Sequence, residues 1–147
     1  PTPHEIFTKP ANLFVAGFIG TPAMNLLPAK LMSFGDGTAK FEICGQQAEV
    51  QVNPAVSTIA PGADVTVGIR PRAFTLESEP AGNGLSVEID LIEPMGAETL
   101  VHTLAGDTNV RVVIDRSRRV AVGEKLHIVG KPGQMLVFGQ NERLVSS

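Results

Sequence analysis

The residues best equipped for chemistry are few and scattered. His4, His102 and His127 are far apart, and none has a metal-ligating partner three or four residues away. His102 and His127 sit in alternating, strand-like runs, where a satisfied or surface histidine is the plain account. Cys44, the single cysteine, precedes Gly45 at a turn and has no base close in sequence. That setting suits a small apolar residue better than a nucleophile. One cysteine also excludes an internal disulfide framework and a Cys-rich zinc site. No Gly-x-Ser-x-Gly elbow surrounds a serine, and no Gly-rich loop of either phosphate-binding type is present. No catalytic centre or cofactor site is therefore expected in this chain.

Two polar stretches remain. Arg116-Ser117-Arg118-Arg119 follows Asp115 at a strand end and could meet an anion or an acidic surface, although a solvated turn is the simpler account. Glu93-Pro94-Met95-Gly96-Ala97-Glu98 joins two strand candidates. Pro94 is expected to leave the ladder and Gly96 to permit a sharp bend, with a carboxylate on each flank. An acid/base pair would need burial and a cleft, so a shaped acidic turn at a contact surface is the better reading.

The elements that must position these residues alternate with period two. Leu85, Val87, Ile89 and Leu91 interleave with Ser86, Glu88 and Asp90, which buries one face and wets the other. Val65, Val67 and Ile69 repeat the pattern, as do Ala48, Val50 and Val52. Further strand candidates are 38–43, 98–105, 109–114, 125–130 and 134–138. Turn chemistry separates them at Gly35-Asp36-Gly37, Gly45-Gln46, Pro61-Gly62, Gly106-Asp107 and Val122-Gly123. Short strands so spaced predict an all-β barrel or sandwich. Composition agrees: 147 residues, 43% hydrophobic and 18% charged, can bury a core and exclude a disordered chain. A net charge of −3, with seven Phe and no Trp or Tyr, speaks against a nucleic-acid partner.

A repeat runs through the strands. Residues 61–71 (PGADVTVGIRP) can be laid on residues 122–132 (VGEKLHIVGKP), matching glycine, strand apolars, a cation and proline at an offset of roughly 61 residues. The same offset pairs Gly35 with Gly96 and Gly45 with Gly106, and sets Leu26–Leu31 against Val87–Ile92. Two related β-units follow, about 24–76 and 85–138, joined by the polar residues 77–84.

The first 20 residues read differently. Thr2-Pro3-His4-Glu5 carries a helix-start signature, and a second start lies at Pro10. Leu13, Phe14, Val15, Phe18 and Ile19 would then cover most of a short helix, which must be buried on most sides. It packs either on its own domain or on a domain that precedes it.

These residues carry a family resemblance. Residues 2–7 (TPHEIF) and 10–27 (PANLFVAGFIGTPAMNLL) closely resemble the junction after the ATPase domain in ABC importer ATPases of the maltose and glycerol-3-phosphate type. Gly68-Ile69-Arg70-Pro71 and residues 93–100 (EPMGAETL) are similar to two further motifs of that family's C-terminal regulatory domain, and residues 132–144 to its closing strand and turn. Phe7, Thr21 and Gly139-Gln140-Asn141 depart from the usual pattern.

The resemblance implies a fold and a role. Residues 1–20 would be the helical tail of a missing ATPase domain. Residues 21–147 would be an OB-fold-like, transport-associated β-barrel region, the ATP and Mg site lying upstream. The role implied is a regulatory and dimerisation domain of an importer's ATP-binding subunit. Its partners would be a second copy, the ATPase domain of the same chain, membrane permease subunits through it, and in some members a cytosolic regulator. It would work in the cytoplasm at the inner membrane face. The motif residues Gly68, Ile69, Arg70, Pro71, Glu93, Pro94, Gly96 and Glu98 are the expected partner contacts, and Phe14, Phe18 and Ile19 the expected packing onto the ATPase domain. The alternative is a barrel that senses an oxyanion or sugar phosphate, with charge from Arg70, Lys131 or Arg116–Arg119.

Overall fold

The computed structural model describes residues 23–51, 59–80, 84–131, 133–139 and 144–146. The expected N-terminal helices, with Phe14, Phe18 and Ile19, lie outside the described residues. Among those described there is no α-helix, only a 3₁₀ turn at Pro71–Ala73. The strands are β1 (Asn25–Gly35), β2 (Thr38–Ile43), β3 (Gln46–Gln51), β4 (Asp64–Ile69), β5 (Phe74–Glu77) and β6 (Gly84–Met95). β7 (Glu98–Ala105), β8 (Thr108–Asp115), β9 (Lys125–Gly130), β10 (Leu136–Phe138) and β11 (Leu144–Ser146) complete them.

Alternation decides which face each strand buries. In β2, Ala39, Phe41 and Ile43 are buried while Lys40 and Glu42 reach water. β6 does the same with Leu85, Val87 and Ile89 against Ser86, Glu88 and Asp90. The alternation in β6 breaks at Leu91, which is 49% exposed. There the ladder skips Asp90, placing a bulge between Ile89 and Leu91, and β1 has its own between Leu31 and Ser33. A bulge adds one residue to a strand and turns the following side chains to the other face.

The strands form two antiparallel sheets, ordered β11-β10-β4-β1-β2-β3 and β5-β9-β6-β7-β8. The larger of two hydrophobic clusters among the described residues draws Leu27, Leu31, Phe41 and Val67 from the first sheet and Ile89, Val101, Val112 and Ile128 from the second, and the smaller holds Met24, Leu136 and Phe138. The order repeats, with a twist. Beside β4 stands β10, which comes from the second half of the chain, and beside β9 stands β5, which comes from the first. Each half gives its last core strand to the other's sheet.

The repeat is deeper than its spacing suggested, and its register is different. The backbone of Leu31 exchanges hydrogen bonds with the turn before β4, through Ala63 O at 3.1 Å and Gly62 N at 2.6 Å. Ile89 does the same with the turn before β9, through Glu124 O at 2.9 Å and Gly123 N at 2.7 Å. Leu31 therefore matches Ile89, so in this strand Leu27 to Leu31 correspond to Leu85 to Ile89 rather than to the Val87–Ile92 stretch. The uniform offset fails because the β1–β2 and β6–β7 hairpins differ in length after their bulges.

The turns also sit slightly differently. The β2–β3 loop is Cys44-Gly45, both at positive φ, rather than Gly45-Gln46. Asp36-Gly37 has the same conformation, the two-residue turn whose twist matches that of its strands. Pro94 stays in the ladder opposite Thr99, because β9 covers β6 only up to Glu88 and leaves that edge free of a partner needing an N–H.

Candidate partner interface and the crossover beneath it

Gly68-Ile69-Arg70-Pro71 is the point at which the chain leaves β4 and crosses to the other sheet. Pro71 opens the 3₁₀ turn, whose Ala73 N–H donates to Arg70 O at 2.8 Å. The fixed φ of proline and its missing N–H end a strand and redirect the chain. The reciprocal crossing follows Gly130. The two crossings are tied together: Lys131 N–H donates to Ala73 O at 2.7 Å and its Nζ to Arg72 O at 3.0 Å. Gly68, Ile69 and Pro71 are buried within the chain, while Arg70 is half-buried, its pKa pushed down by desolvation.

The β6–β7 hairpin is pinned to this crossover. Arg72 grips Glu98 through Nε–Oε2 at 3.3 Å and Nη2–Oε1 at 2.8 Å, a forked pairing that fixes orientation as well as distance. Arg116 Nη1 donates to Gly96 O at 3.1 Å at the hairpin tip, and Arg118 to Leu76 O. Ser117 donates twice to Asp115, which holds that carboxyl below its usual pKa. The two motifs are thus one assembly, joined by Arg72.

The tip presents a mixed surface. Glu93, Pro94 and Gly96 are exposed, and Glu98 is half-buried under Arg72. Leu91 and Met95 add exposed apolar area at 49% and 37%. Glu93 Oε1 lies 2.7 Å from His102 Nε2. The β1–β2 tip, which corresponds to it in the repeat, carries Gly35, Asp36 and Gly37 instead.

Two amide side chains join the halves. Asn25, 2% exposed, donates from Nδ2 to Arg111 O at 2.8 Å and accepts from Arg111 N–H at 2.9 Å, closing the free edge of β8. Gln46 on β3 does the same for Ser86 on β6, at 2.9 and 2.7 Å. Sequence reasoning missed both, and it missed Arg72. Asn25 had a signal, a polar residue inside the run Met24-Asn25-Leu26-Leu27; Gln46 had none.

No group of three or more His, Cys, Asp or Glu converges among the described residues. His127 meets Ser86 Oγ at 3.2 Å, and burial pushes the Cys44 thiol up despite an opposing hydrogen bond from Thr108. Of the cations named for an anion (Arg70, Lys131 and Arg116–Arg119), Lys131, Arg116 and Arg118 each reach a backbone carbonyl.

Comparison with known proteins adds what geometry alone does not. The family model of the MalK OB fold domain matches residues 20–74, and that of the TOBE domain residues 67–138. The chain is 33% identical over 141 residues to the sulfoquinovosyl glycerol transport ATP-binding protein SmoE of Agrobacterium fabrum, covering 93% of this chain and 37% of that protein. It is 36% identical over 137 residues to the sn-glycerol-3-phosphate import ATP-binding protein UgpC of Escherichia coli K12, with the same coverages. The diacetylchitobiose uptake system ATP-binding protein MsiK of Streptomyces coelicolor is 36% identical over 165 residues, covering 97% and 42%. The chain thus spans well under half the length of these relatives. Among solved structures, the cytoplasmic molybdate-binding protein ModG shares the fold, with a TM-score of 0.64 at 17% identity over 77% of this chain and 94% of that one.

Proposed function

This chain belongs to the MalK OB-fold and TOBE domain families of ABC importer ATP-binding subunits, and from that premise we propose that it is the regulatory and pairing domain of such a subunit. The class is carbohydrate or glycerol-3-phosphate import, named by the relatives that align with almost its whole length. ATP and Mg would bind in an ATPase domain of the same subunit, which would drive uptake through membrane permease subunits at the cytoplasmic face.

One observation carries the reading. The two family models fall in tandem on the two strand-exchanged halves, and they meet over residues 67–74, at the crossover. The surface pinned above that crossover supports a partner role for the β6–β7 tip, with Glu93, Pro94 and Gly96 facing outward and Leu91 and Met95 supplying apolar contact. Gly68, Ile69 and Pro71 serve that surface from inside, by setting where Arg72 stands. A permanent contact between two such domains would keep two ATPase domains at high effective concentration.

The test is a subunit carrying this sequence, prepared with and without residues 24–147. The truncated form is expected to hydrolyse ATP while losing stable pairing, read by light scattering without nucleotide. Unchanged pairing and unchanged regulation in the truncated form would overturn the proposal.

A further inference from the structure

One strand position lacks a side chain where the repeat fills its equivalent. Ile69 ends β4 and is 5% exposed, and Gly130 stands at the matching place at the end of β9. The Gly130 backbone lies outside the left-handed region, so no turn calls for glycine there. Among the described residues, a Cβ on Gly130 would have Ile69 Cδ1 as its nearest neighbour, at 3.6 Å, an ordinary contact. A side chain would therefore fit, and its absence leaves space between the sheets. Glycine weakens a strand, and it commonly marks a place where another group comes close.

That space belongs to a cavity of about 560 Å³. Ile43, Ile69 and Ile128 line it and are buried, while Val50 and Met135 are half-buried, which opens it to solvent on their side. Small-molecule sites are of this size, about 300–1,000 Å³, and are mostly apolar with a few placed polar groups. The polar side chains around this one are Thr38, Glu49 and Lys131. Glu49 stands opposite Lys40 in the β2–β3 ladder, so a cation answers it. Lys131, the residue after Gly130, is exposed and forms no ion pair with a carboxylate among the described residues; its Nζ donates to Arg72 O. An ammonium without a counter-ion beside an apolar cavity suits a ligand with one anionic end. We propose that the cavity binds an apolar organic anion, a monocarboxylate whose hydrocarbon body enters beside Gly130 and whose carboxylate meets Lys131.

The chain has no Trp or Tyr, so a fluorescent aromatic acid can be titrated into it with little background. Naphthoate is expected to bind the full chain saturably. Uncharged naphthamide should bind about three- to fivefold more weakly, the scale of one partly exposed ion pair. Lys131→Met should bring naphthoate down to the naphthamide level. Gly130→Leu should weaken both probes at least about tenfold by occupying their space. Gly130→Ala, which adds one methyl group in ordinary contact, should weaken them less and carries the test if the leucine variant does not fold. Inorganic phosphate has no body to fill the cavity and should not displace naphthoate. Absence of saturable binding by naphthoate would overturn the proposal. So would binding that the Gly130 variants leave unchanged, binding indifferent to Lys131→Met, or displacement by phosphate. None of these results bears on the importer reading, which rests on the pairing of whole subunits.

Discussion

Gly68 shows how much one absent methyl group can decide. A Cβ there would stand 2.8 Å from Met24 Sδ and 3.1 Å from Phe138 Cε2. The methionine tail can swing aside, but Phe138 is fully buried and has nowhere to go. Gly68→Ala is expected to cost about 1–3 kcal/mol of stability, the usual scale of overpacking. An unchanged urea midpoint would show that the site relaxes freely. Asn25→Ala leaves the N–H and C=O of Arg111 without their partner and is expected to cost about 1–3 kcal/mol by the same measurement. Cys44 provides a test with a pH sign. Burial raises its thiol pKa in the folded chain above that of the unfolded chain. Folding therefore favours the thiol, and stability is unaffected at low pH but declines as pH rises through the thiol range. Iodoacetamide at mildly alkaline pH should modify the folded chain more slowly than the urea-unfolded chain; equal rates would refute this.

Hairpins and turns carry the repeat more faithfully than residue counts do. The Ala60–Ala63 and Ala121–Glu124 turns each have glycine at the third position with φ of 85° and 89°, and each closes on the bulge of a neighbouring strand. That geometry favours proline at the second position. The first turn has Pro61 there, whereas the second has Val122, 64% exposed and the most exposed large apolar side chain described. Val122→Pro is expected to stabilise the chain by about 0.4–1 kcal/mol by restricting the unfolded state. Thermal melting would check it, and a lower Tm would mean that the second turn is not equivalent to the first. Most strands could be read from alternation, since period two reports directly on which face is wet. β5 could not, because its four residues follow straight from the 3₁₀ turn with no punctuation between them.

At the scale of the whole molecule, two exchanged strands make one folding unit of what the repeat suggests are two. The intact chain should therefore melt in a single transition, with the calorimetric enthalpy equal to the van't Hoff enthalpy. Two resolved transitions would mean that the halves unfold separately despite the exchange. The sequence by itself determined the β-rich class, most of the strands, the positions of most of the sharp turns, the existence of a repeat and the family. All of these rest on local signals: side-chain period, turn-forming residues and motifs a few residues long. Only the tertiary structure decided which strand lies beside which, and with it the identity of the Gly68–Pro71 motif as a crossing point, the Arg72–Glu98 pin and the two amide bridges. Asn25 and Arg111 are 86 residues apart, and Gln46 and Ser86 are 40. An alternating strand records which of its faces is buried, but it does not record its neighbour. Any similar edge could supply the same hydrogen bonds, and the choice is made only when the whole core closes.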